Sequence, residues 1–175
     1  MSRYFEDFEV GQHFRSRGRT ITEAHLVAFA GLSGDFIELH TNEEYARQSI
    51  FGTRIAPGAL VFSIATGLAA QMELINDTVV AFYGIDKLRF TKPVFIGDTV
   101  RVEKHVAEKK EKGEGRGLVT FDSSVINQKE ETVLVFRDKL LVKRKGSGRP
   151  TALPGKRPGP SASGKMLSGR PFAGS

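Results

Sequence analysis

Along the first fifty residues the apolar positions recur at helical spacing. Leu26, Phe29 and Ala30 stand at i, i+3 and i+4, which predicts one helix with a single buried face. Thr20-Ile21-Thr22-Glu23 supplies its start, with a capping box from Thr20 or an N-cap at Thr22 as the two readings. The helix is expected to end within Gly31–Gly34. Thr41-Asn42-Glu43-Glu44 repeats the box pattern and predicts a second, short helix through Ala46. Asp35 to His40 then lies in the connection between the two.

Pro57 suits a first helical turn, where a missing N–H costs nothing. From Gly58 to Ile75 the chain is apolar on nearly every side, and Ala59, Ala65, Gly67, Ala69 and Ala70 keep it thin. A helix apolar all round is buried, and a thin one lets a sheet approach closely. After Asn76-Asp77 the pattern becomes extended. Strands are predicted over Thr78–Phe90 (with a possible break at Gly84), Thr99–Lys109, Leu118–Gln128 and Thr132–Arg144. Lys92-Pro93, Gly97-Asp98 and Gly113–Gly117 punctuate them. A further short strand is expected over Phe8–Phe14. This order implies an α+β fold in which an antiparallel sheet wraps around one long central helix, the hotdog architecture.

Composition changes this picture at one end only. A length of 175 residues with 39% hydrophobic positions fits one domain and one modest core. The net charge of +6 is concentrated at the C-terminus: the last 33 residues hold eight Lys and Arg and no acid, which leaves Met1–Val142 at −2. That stretch also holds seven Gly, five Pro and five Ser, too few apolar side chains to offset the entropy of ordering. Residues 1–145 are therefore read as the domain and 146–175 as a basic tail, disordered or lying against a neighbour. A nucleic-acid partner calls for a charged face on the fold, and none is visible there. No cysteine is present, which excludes disulfides and thiolate metal sites and fits a reducing compartment. The N-terminus is acidic and carries no apolar signal, and the apolar stretch Gly58–Leu74 is interrupted by Ser63, Thr66, Gln71 and Glu73. A cytoplasmic protein without membrane contact is expected.

The candidate chemistry lies in Ser33-Gly34-Asp35-Phe36-Ile37-Glu38-Leu39-His40 and, downstream, Arg54-Ile55-Ala56-Pro57-Gly58. A carboxylate and an imidazole stand five residues apart, near a helix N-terminus that begins with glycine. Adding water across a conjugated thioester needs these groups: an imidazole base to take a proton from the water, a carboxylate to hold the same water and later deliver or withdraw a proton at the α-carbon, and an N–H for the enolate oxygen. Each has a plain alternative. Asp35 after glycine makes a good turn, His40 can precede a helix cap, and Ser63 can bond its own helix at i−4. His13, His25 and His105 have no partners in the sequence and are read as surface residues; no metal site is expected from them.

Ala28-Phe29-Ala30-Gly31-Leu32-Ser33-Gly34-Asp35…His40-Thr41, then Phe51-Gly52-Thr53-Arg54-Ile55-Ala56…Gly58, resemble the MaoC-like dehydratases, which include the (R)-specific enoyl-CoA hydratases. Phe90-Thr91-Lys92-Pro93-Val94-Phe95-Ile96-Gly97-Asp98-Thr99-Val100 is similar to that family's strand–turn–strand segment. The resemblance spans roughly residues 5–143. It implies a hotdog fold working as a dimer or double hotdog, here a homodimer or higher homo-oligomer, and a hydro-lyase acting on an acyl-CoA or carrier-protein thioester without a cofactor. It implies Asp35 and His40 as the catalytic dyad, Ser63 as a supporting hydroxyl and Gly58 as the oxyanion amide. The chain departs from the family at Ile37-Glu38, where Asn-Pro is common, and at Pro57, where His is frequent. Ile37 cannot orient the loop by hydrogen bonding as an amide side chain would. The competing readings are a non-catalytic thioester-binding or partner subunit, and a hotdog thioesterase. The latter would need an acid on the central helix, where only Glu73 is available.

Overall fold

A computed structural model of the chain describes residues 2–113 and 115–147. A 3-10 turn at Phe5–Asp7 leads into β1 (His13–Arg15) and β2 (Arg19–Thr20). Three helices follow, α1 (Glu23–Ser33), α2 (Glu38–Thr41) and α3 (Glu43–Arg47), and then the central helix α4 (Gly58–Ala70). Four long strands complete the domain: β3 (Val79–Phe90), β4 (Thr99–Glu111), β5 (Arg116–Ile126) and β6 (Thr132–Lys143). The sheet is antiparallel in the order β1-β4-β5-β6-β3, and β2 pairs with β4 beside it. This is the expected antiparallel sheet against a central helix.

Several boundaries differ from the sequence expectation, each for a local reason. The early strand sits at His13–Arg15 rather than over Phe8–Phe14, because Phe5 and Phe8 turn inward to pack on Val119 and Phe121. α4 ends at Ala70, five residues before Ile75, and Glu73 takes a left-handed φ of 54° in the turn that follows. β3 continues through Gly84 instead of breaking there. Register shifts at Val79/Ala81, Phe82/Gly84 and Asp86/Arg89 absorb the irregularity. The link between the first helices is itself partly helical, since α2 carries Glu38 to Thr41. The basic tail anticipated from residue 146 lies, from position 148 onward, outside the described residues.

The core lies between α4 and the inward face of the sheet. Leu60, Val61, Ile64, Ala65 and Leu68 of α4 pack with Val100, Val102, Val125, Leu134 and Phe136. Each fully buried aliphatic side chain contributes about 1.5–3 kcal/mol, so this layer supplies most of what holds helix to sheet. On β5, Val125 packs into that core, while Val119 and Phe121 join Phe5, Phe8, Val106 and Val142 in a second cluster, and the strand is flanked on both sides. β3 is different: it is the free edge of the sheet, and Val79, Phe82, Tyr83 and Phe90 on it are exposed. Among the described residues, no helix is long and apolar enough to cross a membrane.

Candidate active site

The end of α1 sets the position of Asp35. The helix begins at an N-cap Thr22, whose amide N–H donates to Nδ1 of His25 at 3.0 Å. His25 is thus a capping residue as well as a half-buried one. The helix stops at Gly34, which adopts φ 77° and donates its N–H to the Ala30 carbonyl at 2.8 Å. A left-handed residue is the usual way to end a helix, and glycine takes that conformation without strain. The Ser33 hydroxyl donates to the Phe29 carbonyl at 2.6 Å and accepts from the Asp35 N–H at 3.2 Å. Asp35 Oδ1 in turn accepts a long bond, 3.4 Å, from the Ile37 N–H. The carboxylate therefore forms the small turn expected of an Asp after Gly, half-buried, with Oδ2 outside that turn.

His40 lies on α2, and its ring is held by one short contact: Nδ1 is 2.8 Å from the Ile55 carbonyl oxygen. A carbonyl only accepts, so Nδ1 must carry the proton and Nε2 is left as the basic nitrogen. The Ile55 peptide is itself fixed. Its N–H donates to the Leu39 carbonyl at 3.4 Å, Ile55 bridges to Phe95, and the Ala56 N–H donates to the Val94 carbonyl at 2.7 Å.

Arg54 adds a second restraint that the sequence motif contained without revealing its purpose. Its guanidinium donates to both Glu23 oxygens at 2.8 and 2.7 Å, and its Nε donates to Glu43 Oε2 at 2.9 Å. The Thr53 hydroxyl donates to the other Glu43 oxygen at 2.9 Å. One side chain thus ties the segment carrying Ile55 to the start of α1 and to α3. Hydrogen bonds from Arg54 hold the Glu23 and Glu43 carboxyls below the usual carboxylate range, and the same bonds raise Arg54 further. Such a bidentate fork fixes geometry as well as charge.

Gly58 is the first residue of α4, and the N-cap before it is Pro57. Proline has no side chain able to cap, so the first amides of α4 are left without a side-chain partner from that position. His40 and Gly58 line one cleft of about 460 Å³, with Phe51, Ile55, Phe90 and Pro93 among its walls. Phe90 lies so close over Gly58 that a Cβ there would stand 2.8 Å from the ring. The structure therefore brings a basic imidazole nitrogen and an uncapped helix N-terminus to one cavity.

Asp35 and Ser63 do not line that cleft. Among the described residues no hydrogen bond links Asp35 to His40. The Ser63 hydroxyl donates to the Ala59 carbonyl at 2.8 Å, the i−4 bond open to any helical serine. It faces a shallower recess with Phe29 and Leu32 of α1. Glu38 is turned aside, accepting from the Asn42 side chain at 3.1 Å, while Ile37 is exposed. Glu73 lies beyond the end of α4, so the central helix carries no acid of its own.

The structure also joins two histidines that are 92 positions apart. His13 of β1 opposes His105 of β4, and their rings stack at 4.4 Å. Glu103 lies on the same face, and the three form the metal-capable cluster found among the described residues. Its carboxylate is already engaged, 3.1 Å from Arg101 and 3.9 Å from Arg15. With that carboxylate already held by guanidinium groups, the cluster does not read as a metal centre.

Comparison with known proteins bears on the whole domain. The family model described as "MaoC like domain" matches residues 7–129. The chain is 38% identical over 142 residues to the (R)-specific enoyl-CoA hydratase of Rhodospirillum rubrum, covering 75% of this chain and 91% of that protein. It is 41% identical over 100 residues to Protein MaoC of Klebsiella aerogenes, 57% of this chain but only 29% of that longer protein. Among solved structures, the MaoC-like dehydratase from Rhodospirillum rubrum superposes with a TM-score of 0.75 at 30% identity, covering 82% of this chain and 99% of that one.

Proposed function

The chain belongs to the MaoC-like domain family, and from that membership we propose that it is a hydro-lyase. It adds water to a 2-enoyl thioester, or removes water from the 3-hydroxyacyl thioester. The single observation that carries the reading is the cleft shared by His40 and Gly58, with the imidazole tautomer set by the Ile55 carbonyl. The hydratase and the MaoC-like dehydratase of Rhodospirillum rubrum support the same reaction class.

In the hydration direction, His40 Nε2 takes a proton from water as its oxygen attacks the β-carbon. The C=C electron pair moves toward the thioester carbonyl, and the developing enolate oxygen is received by the Gly58 N–H. The Asp35 carboxylate holds the same water, and the α-carbon then gains the proton that the water gave up, returned from the His40 imidazolium by way of Asp35, so that both groups end in their starting states. No redox partner enters this balance. General-base help of this kind is worth about 10²–10⁴-fold. Uncapped amides at a helix start are suited to the charge that appears on oxygen.

Asp35 lies off the wall of the cleft in the single chain, and the exposed apolar surface supports a homodimer that closes the site. Leu32, Phe36 and Ile37 are 86, 63 and 60% exposed, next to Asp35. Phe82, Tyr83 and Phe90 lie on the free edge strand β3. An apolar edge of this kind invites pairing with another chain. Ser63, in the recess on the Leu32 side, would contact the acyl chain or the dyad there. The thioester is taken to be a CoA or carrier-protein ester in the cytoplasm. The test is loss of conjugated thioester absorbance on adding the protein to trans-2-enoyl-CoAs. No turnover on short, medium or branched chains would overturn the proposal.

A further inference from the structure

At the side of the sheet away from β3, the last strand of the ladder is β1, His13–Arg15. The Ser16 N–H donates to the Val102 carbonyl, and the Gln12 carbonyl accepts from the Val106 N–H, both at 2.9 Å. Hydrogen-bonded and non-hydrogen-bonded positions alternate along an antiparallel ladder. Gln12, Phe14 and Ser16 therefore hold this stretch on β4, while His13 and Arg15 turn their N–H and C=O groups away from the sheet. Backbone groups presented in this way are a template for one more strand.

Beside this edge lies a groove of about 400 Å³, between β1 and the end of α4. Its apolar lining is Phe14 from the strand, Leu68 from the helix, and Met72 and Leu74 from the turn that follows. Phe14 opposes the buried Lys104 of β4, so it stands on the inward face of the sheet, where its ring packs on Phe8. The groove shares no lining residue with the His40 cleft. An edge that is only protected from aggregation is kept short and charged, and β1 is both. Protection does not call for an apolar recess alongside, and such a recess gives an added strand a place to bury a side chain.

The outward face of the same edge is cationic. His13 and Arg15 stand there beside Glu103, at 3.5 and 3.9 Å. Arg101 holds that carboxylate more closely, at 3.1 Å, which leaves Arg15 at the outer limit of an ion pair. Arg17 follows, exposed, and among the described residues no acid lines the groove. Two copies of this edge would set like charges against each other, which opposes self-pairing. The occupant it fits brings carboxylates.

We propose that the free edge of β1 takes an extended acidic segment of another protein as an added strand. Side chains alternate between the two faces of a strand. The residue opposite Phe14 therefore enters the groove and is apolar, while its two neighbours stand over His13 and Arg15 and are acidic. Backbone hydrogen bonds to His13 and Arg15 supply affinity, and the recess and the cations supply selectivity. The site uses neither His40 nor Gly58, so it stands apart from the hydro-lyase reading.

The probe is the blocked peptide Ser-Glu-Leu-Glu-Ser, titrated into the full chain and followed by amide chemical shifts. Saturable shifts are expected, largest at His13 and Arg15. The same peptide methylated on the backbone nitrogen of both glutamates keeps its side chains and loses the strand hydrogen bonds; it should bind at least about tenfold more weakly. Arg15→Glu, a change at an exposed position, should also weaken the unmodified peptide by about tenfold or more through like-charge opposition. Gln71→Trp, also exposed, narrows the recess and should reduce affinity without unfolding the chain. Equal affinity of the two peptides would overturn the proposal, as would absence of shifts at millimolar peptide. Edge amides that shift with protein concentration alone would make a second copy the occupant, and tighter binding of decanoate than of the peptide would make the groove a site for a fatty anion; either result would also overturn it.

Discussion

Replacing Gly58 by alanine separates the stability of α4 from the chemistry proposed for its N-terminus. A Cβ at this position would stand 2.8, 2.9 and 3.0 Å from three atoms of the Phe90 ring. Carbon atoms in contact rest at about 3.5–4.0 Å, so the ring must withdraw by roughly 0.5–1 Å. Phe90 is also a wall of the cleft, which gives its ring an open side to move into. Overpacking in a closed core costs about 1–3 kcal/mol, and the open side puts this case near the lower bound, about 1 kcal/mol. Alanine returns up to about 1 kcal/mol through its better helix propensity. The two nearly cancel, and a melting temperature within roughly 4 °C of wild type is expected. Activity should respond differently. The new methyl stands beside the amide assigned to the enolate oxygen and holds the thioester away from it. Loss of one oxyanion donor lowers kcat by about 10²–10³-fold. The assay is hydration of crotonyl-CoA, run beside thermal denaturation. A folded Gly58→Ala variant within threefold of wild-type kcat would refute the assignment of that amide.

Arg54→Gln keeps hydrogen-bonding ability but loses the fork between Glu23 and Glu43; kcat should fall by about tenfold through loosening of the Ile55 carbonyl that orients His40. Arg54→Lys should recover little, because an ammonium cannot reproduce a bidentate pair, and full activity in either variant would remove Arg54 as a positioning residue. The carboxyls of Glu23, Asp122 and Glu131 are held below their usual range by hydrogen bonds from Arg54, Arg137 and Lys92. The unfolded chain therefore binds protons first in acid. The stabilisation is full above the unfolded values, about 4, and is lost as pH falls through the lower folded values. Melting temperature should drop between neutral pH and pH 3, and a flat profile would contradict this. Light scattering of the pure protein should give twice the chain mass; a monomer at micromolar concentration would remove the proposed closure of the site by a second copy.

The parts of the fold legible in the sequence are those set by long periodic segments. The thin apolar run from Gly58 and the alternation in the last three strands each exceed ten residues, enough for the pattern to outweigh local exceptions. α2 has four residues, less than the span over which a helical period can be recognised. The apolar pattern runs on past the end of α4 because Met72 and Ile75 serve another purpose: they pack against the two clusters from the turn. In the candidate site, Asp35, His40 and Gly58 stood out by residue type and order, yet their distances did not. Arg54 was visible within the motif, but its partners come from helices 31 and 11 positions away. Lys104 had a signal in the alternation Val100, Val102, Lys104, Val106, which points it inward with the valines. The His13–His105 stack had none, since it follows from the register of β1 on β4.

The account turns on one imidazole acting as base toward water at a thioester. The most direct measurement is steady-state hydration of trans-2-enoyl-CoA by the wild-type chain, by His40→Ala and by Asp35→Asn, each verified as folded by circular dichroism. The wild type is expected to turn over, and each variant to lose about 10²–10⁴-fold in kcat. Variants that hydrate the substrate at the wild-type rate would contradict the assignment of His40 and Asp35.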